Sequence, residues 1–155
     1  RIERATGTRP RGWLGPGLVE SFATADTLAS EGLTYCCDWG PADDLPYEIA
    51  VANGRLLSVP YPIDMNDIVA FGLERRPDAA MMERGRRGFD RLYRESAAQA
   101  KIFPIALHPW ISGVPHRIDY LEELLRYVLD RPGVTFMSGG EIADWYRSSG
   151  ETTAR

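Results

Sequence analysis

Cysteine and histidine are scarce in this chain of 155 residues. Its two cysteines are the adjacent Cys36 and Cys37, a spacing that fits neither a C-x-x-C redox pair nor a zinc knuckle. A reducing compartment, the cytoplasm, is therefore expected. The two histidines are His108 and His116. No uninterrupted apolar run approaches the length needed to span a bilayer, and the first residues, RIERATGTRPRG, have neither an apolar signal core nor a cleavage pattern. No membrane partner is expected. Excess positive charge is also missing: the formal charge is −4 and the pI near 5.2, so the clustered cations that phosphate binding requires are not supplied and nucleic acid is excluded as a partner. A small-molecule or sugar substrate fits better. The chain begins with Arg1 and not Met, which is read as the mark of a fragment, a processed product or an incomplete frame.

What remains is an ordinary globular composition, 44% hydrophobic and 26% charged, enough for one core and one domain or part of one. Residues 18–31 place Leu18, Phe22, Ala25, Leu28 and Ala29 on one helical face and stop at Gly32. The run 33–39 is short, apolar and aromatic, as a buried strand would be. YEIAV and RLLSVPY flank Asn53-Gly54, a hairpin signal. Residues 66–74 predict a short helix, and 78–100 a longer one. KIFPIALHP at 101–109 is a second strand candidate, with Pro104 removing a ladder donor. The apolar spacing from Ile118 to Leu129 predicts a helix that ends before Pro132-Gly133. A third strand, VTFM, leads through Ser138-Gly139-Gly140-Glu141, a capping-box spacing, into a last helix. Strands alternating with helices indicate an α/β architecture with parallel strands. In such folds the chemistry sits in loops after the C-terminal strand ends, here at 8–17, 37–44 and 107–117.

Those loops hold the candidates. His108, at a strand end, is placed either to act as a general acid or base or to serve as a core or capping histidine. His116 reads as a lip residue. Asp38 closes the first strand, and a carboxylate buried there needs a hydrogen-bonding or positive partner, which an imidazole would supply; the alternative is a turn cap. Asp43 and Asp44 are read as capping the turn before Pro46. Arg9 could grip a carboxylate bidentately; otherwise it is one of many surface arginines, since all but one of the 18 basic residues are Arg. Trp13, Trp39 and Trp110 fall in the three loops and Trp145 in a helix, which suggests an aromatic-lined pocket as an alternative to plain packing.

Taken in order, R-P-R-G-W-x-G-P-G, Y-x-x-D-W and A-L-H-P-x-x-S-G-x-P-H-R, with the closing PGVTFMSGGEIADWY, resemble the later motifs of the NodB-type polysaccharide deacetylases, carbohydrate esterase family four. The resemblance spans most of residues 8–147. The texture of RPRGWLGPGL, DWGPADDLPYEI and LHPWISGVPHRI is most like the branch that includes allantoinase-type enzymes and peptidoglycan-deacetylase relatives. The implied fold is the C-terminal portion of a distorted (β/α) barrel. The implied activity is hydrolysis of amide C–N bonds other than peptide bonds, on an acetamido sugar or a ureide. Residue by residue, Arg9 matches the arginine that orients the catalytic Asp, and Asp38 the acid that tunes a histidine. His108 matches the histidine that protonates the leaving nitrogen. Trp39 matches a pocket wall, and Trp13, Trp110 and Leu107 are the further substrate-binding candidates.

The family's first two motifs, which supply the base and the metal ligands, precede the matched region. No Asp-Asp or His-x-x-x-His cluster stands before Arg9, and a metal site needs about three protein ligands with room for water. A divalent metal, zinc, is thus expected in a full-length parent and no ligand set in this chain. The chain is expected to be an inactive half-barrel that associates through unpaired edges as a homo-oligomer. The competing expectation is a non-catalytic half-domain that binds a ligand or a partner.

Overall fold

The computed structural model describes residues 1–39 and 44–150. Among them are helices α1 (Ile2–Thr6), α2 (Thr24–Ser30), α3 (Ala80–Glu95), α4 (Pro109–Ser112), α5 (Ile118–Leu129) and α6 (Gly139–Ser149), and strands β1 (Gly12–Trp13), β2 (Tyr35–Cys36), β3 (Tyr47–Ala50) and β4 (Arg55–Ser58). The chain divides into two compact units. The first comprises Arg1–Pro60 with Met137–Arg155 and the second Tyr61–Phe136. The expected mixed α/β class is what forms, with helices and a four-stranded sheet.

In the first unit the strand order is β1-β2-β4-β3, with β1, β2 and β4 parallel and β3 antiparallel to β4. Side chains alternate across a strand, and both faces of this sheet are covered. Cys36, Ile49 and Leu56 pack with Leu28 of α2, while Leu57 and Val59 pack with Ala143 and Tyr146 of α6. The same alternation sends the two adjacent cysteines to opposite layers. Burial pushes their thiols up to about 12 for Cys36 and about 11 for Cys37, so neither is a nucleophile. Tyr35 lies against two glycine backbones: a Cβ at Gly12 would stand 2.0 Å from its Cζ, and one at Gly139 2.8 Å from its Cε2. Helix α6 begins with the expected capping box, Ser138 Oγ accepting from the Glu141 N–H and Glu141 accepting from the Ser138 N–H.

Three expectations shift in this unit. The helix anticipated over 18–31 is confined to α2, because Leu18 takes a left-handed φ of 57° and the Thr24 hydroxyl draws in the Ser21 N–H at 2.9 Å. The strand at 33–39 is laddered only at Tyr35–Cys36. The hairpin is present, but Ala50 pairs with Arg55, so its loop is longer than a two-residue turn. The Ala52 N–H is tied to Asp26 Oδ1 at 2.6 Å, and Gly54 alone supplies the positive φ, 98°.

The second unit is organised on a helix pair. Met81 and Phe89 of α3 meet Leu124 and Val128 of α5 together with Met65. Gly85 permits this approach, since a Cβ there would lie 2.6 Å from Leu124 Cδ2. The helix expected at 66–74 is a π-helical turn, Ile68–Leu73, and the one at 78–100 is shortened to α3. The expected strands at 101–109 and 134–137 do not ladder. The first makes a single parallel bridge, Asn66 with Ala106, and its apolar residues Phe103 and Ile105 pack on the helix core instead, as does Val134. No helix among the described residues is long and apolar enough to cross a membrane.

Candidate functional site

In the second unit the single bridge sets the geometry. Ala106 accepts from the Asp67 N–H at 3.1 Å and its own N–H donates to Met65 O at 2.9 Å, which brings Asp67 beside the point where the chain leaves for α4. His108 is the N-cap of that short helix and Pro109 occupies its first turn, where a missing N–H costs nothing. The Asp67 carboxylate is fully buried, 0% exposed, and it satisfies itself with three donors. Its Oδ2 accepts from the His108 N–H at 2.7 Å and from Ser112 Oγ at 2.8 Å. Its Oδ1 lies 2.6 Å from His108 Nδ1. A carboxylate that accepts from the His108 N–H and Ser112 can accept from Nδ1–H as well, an arrangement that leaves Nε2 outside the bond to Asp67. Trp110 meets the imidazole edge-on with ring centroids 5.0 Å apart and is otherwise exposed, as Leu107 partly is.

Asp67 was not singled out by the sequence. Forty-one positions separate it from His108, and nothing in the spacing of Asn66-Asp67 distinguishes it from a helix-capping acid. His116 is exposed, in the segment before α5.

The other candidates lie in the first unit. Asp38, 9% exposed, accepts the Gly15 N–H on Oδ1 at 2.6 Å. Gly15 must be glycine, since a Cβ would stand 2.7 Å from Asp38 Oδ2 and 3.2 Å from Trp13 Nε1. The Trp39 indole N–H donates to Glu20 Oε2 at 2.9 Å. Burial lifts the Glu20 carboxyl above its ordinary range; the Trp39 bond opposes this and the neighbouring Asp38 reinforces it. The Arg9 guanidinium donates to Glu31 O at 2.7 Å, at the C-terminus of α2. The bidentate carboxylate grip is made instead by Arg11 on Asp144, at 3.0 and 2.5 Å. Asp44 is half-buried, and Asp43 lies outside the described residues. Thus His108, Trp110 and Leu107 share one unit, and Asp38, Trp39, Trp13 and Arg9 the other.

The metal that the family resemblance implies finds no seat here: among the described residues no three His, Cys, Asp or Glu side chains are grouped to hold an ion.

No protein-family model matches the sequence, and no curated protein matches it. Solved structures do. The crystal structure of Puue allantoinase is 28% identical with a TM-score of 0.87, over 98% of this chain and 51% of that one. A protein of Pseudomonas aeruginosa PAO1 described as a polysaccharide deacetylase is 30% identical, TM-score 0.83, over 94% of this chain and 49% of its own. A third, from Mycobacterium smegmatis and similarly described, is 24% identical with a TM-score of 0.84, over 99% and 55%, and speaks for the fold alone. The chain spans about half the length of the structures it matches. Over nearly all of its own residues, then, the chain is similar to about half of an allantoinase and of a polysaccharide deacetylase, in keeping with the NodB-type resemblance of its motifs.

Proposed function

We propose that this chain supplies the proton-donating side of a hydrolase that cleaves an amide C–N bond in an acetamido sugar or a ureide. The observation that carries the proposal is the Asp67–His108 pair, with Nδ1 fixed 2.6 Å from a buried carboxylate and Nε2 left to act. As water adds to the carbonyl and the C–N bond breaks, the departing nitrogen needs a proton, which a held imidazolium delivers from Nε2. Asp67 keeps the ring in one orientation during transfer, and Trp110 offers an apolar wall beside it. On the resemblance, Asp38 has the role of the acid that tunes a histidine and Trp39 that of a pocket wall, with Arg9 an orienting residue and Trp13 and Leu107 substrate-binding ones. The base and the ligands of a divalent metal are expected from motifs that this stretch does not match. The proposal extends to a cytoplasmic protein that associates with a second copy of itself.

Nitrogen-15 NMR of the 155-residue chain tests the reading. Millimolar allantoin or an N-acetylglucosamine oligomer should move the His108 Nε2 signal and the Trp110 indole signal, while Nδ1 stays protonated. If neither ligand disturbs His108, or if Nδ1 is the nitrogen that responds, the assignment fails. The chain alone should release neither acetate nor ureide products, with or without zinc. Turnover that His108→Ala abolishes would place the base inside this chain.

A further inference from the structure

Asp67 and His108 stand on two short elements that have little rigidity of their own. Helix α4, Pro109–Ser112, is four residues long, and a single turn is not stable in isolation. Asp67 is the N-cap of the π-helical turn Ile68–Leu73, a form that is rare in proteins. Packing gives these elements incomplete support: a cavity of about 20 Å³ borders both, lined among others by Phe71 of the π turn, Ser112 of α4 and Arg117. Side chains beside a void lose the contacts that would otherwise hold them. The polar contacts therefore decide the alignment. Arg117, at the N-cap of α5, makes three that converge here. Its Nε–H donates to Asp78 Oδ1 at 2.7 Å and its Nη1–H to Ile111 O at 3.3 Å, and its Cζ lies 4.4 Å from the centre of the Phe71 ring. A planar guanidinium with donors in a fixed fork can meet an acceptor on each side while its face covers an aromatic ring.

We infer that Arg117 is a positioning residue for His108: it braces α4 against the π turn and so keeps the imidazole at Asp67. The link to His108 is short. The Ile111 and Ser112 N–H groups both donate to His108 O, at 2.8 and 3.0 Å, so an anchor on Ile111 is an anchor on the His108 backbone. The same turn carries the Ser112 hydroxyl that donates to Asp67 Oδ2 at 2.8 Å. On the other side Phe71 lies in the π turn that Asp67 caps, so the guanidinium touches the elements bearing both members of the pair. Asp78, just before α3, fixes the plane of the fork. The Arg117 and Asp78 side chains are 26% and 37% exposed, and an ion pair of that kind adds little to global stability. What it supplies is direction. The purpose of the alignment rests on the reading of His108 as proton donor; the brace itself does not.

Hydrogen exchange and nitrogen-15 NMR of the 155-residue chain test the brace without reference to any hydrolytic activity. Arg117→Met keeps an unbranched apolar stem over Phe71 and removes every donor. In that variant the α3 and α5 amides should keep their protection, while the Ile111, Ser112 and Gly113 amides exchange roughly tenfold faster and the His108 ring-nitrogen signals leave their wild-type positions. Asp78→Asn still offers the Arg117 Nε–H an acceptor and should leave His108 as it is. Asp78→Ala does not, and should reproduce Arg117→Met in smaller measure; should Arg117→Met fail to fold, this variant decides. Wild-type His108 signals and wild-type α4 exchange in Arg117→Met would overturn the inference. So would a loss of protection throughout α3 and α5, which would make Arg117 a support of the helix pair and not of the site. Titration with allantoin or the acetamido sugar is a separate readout. If both leave His108 undisturbed while Arg117→Met moves it, the proton-donor reading fails and the brace stands.

Discussion

The first unit holds Asp38 with backbone, the second holds His108 with one side chain. Asp38 follows β2, whose ends are pinned by the Cys37 N–H on Trp13 O and the Val59 N–H on Cys36 O, both at 2.9 Å. In the second unit no ladder runs to His108; a single bridge ends two residues earlier, and Asp67 carries the rest through three hydrogen bonds. A covered sheet distributes the positioning of a loop over many bonds. A helix pair with one bridge concentrates it in a buried carboxylate, so the two halves of the candidate chemistry should respond differently to single substitutions.

The largest expected effect tests whether the second unit stands on its helix pair. Leu124 is 1% exposed and fills the space above Gly85, so Leu124→Ala should cost about 2–5 kcal/mol as lost burial plus cavity. Hydrogen exchange should show the amides of α3 and α5 losing protection. A loss under 1 kcal/mol would mean that the pair is not the unit's main support.

Next in size is Asp67→Ala, which strands the His108 N–H and the Ser112 hydroxyl and should cost about 1–3 kcal/mol. Its local signature is sharper. The His108 ring should lose its single tautomer in nitrogen-15 NMR and the His108 amide should exchange faster, while Cys37 and Val59 amides in the first unit keep their protection. If the ring stays in the Nδ1–H tautomer without Asp67, the positioning role assigned to that carboxylate is wrong.

This contrast also marks how far the sequence could be read. Long helices with one apolar face, α5 and most of α3, were legible because their spacing alone dictates which side is buried. So was the capping box of α6, a purely local signal. The hairpin strands were legible from alternation, but the loop length was not, because Asp26 is 26 residues from Ala52. The runs 101–109 and 134–137 have strand composition, yet Phe103, Ile105 and Val134 serve the helix core, and composition does not tell a ladder from a packed extended segment. His108, Asp38 and Trp39 stood out by their places at the ends of expected strands, and the family resemblance supplied their expected roles. Asp67 and Glu20 were missed, since each matters only through a partner that folding delivers, and a lone acid in a sequence resembles any solvated one.

A smaller effect returns to the first unit. Ser138→Ala removes the N-cap acceptor of α6 and should cost about 1 kcal/mol, with fraying confined to the first turn of that helix and no change at His108. Thermal melts and α6 amide exchange give the measurement. Ser138→Asp should restore most of the loss, because a carboxylate caps an N-terminus as well as a hydroxyl does. Failure of the rescue would mean that Ser138 contributes something other than capping.

The smallest effect is electrostatic and also falls on α6. The Ser138 backbone N–H, then its hydroxyl, hold the Glu141 carboxyl below its ordinary range, and Arg11 does the same for Asp144. A carboxyl whose folded-state pKa is depressed contributes stability above its unfolded value and loses it as pH falls through the folded one. Acid should therefore loosen α6 in the range below the ordinary Asp and Glu values, and added salt should blunt the change, since both groups are exposed. Glu141→Gln should abolish the Glu141 part and leave the part due to Asp144. Glu74 of the second unit, held low by Arg84 and then Arg76, serves as the internal control, for its acid response should be untouched by either change on α6. Exchange of α6 amides followed from neutral pH downward, at low and high salt, is the measurement. If α6 opens at the same pH in Glu141→Gln as in wild type, the capping box carries no proton linkage, and the acid sensitivity of α6 must come from Arg11–Asp144 alone.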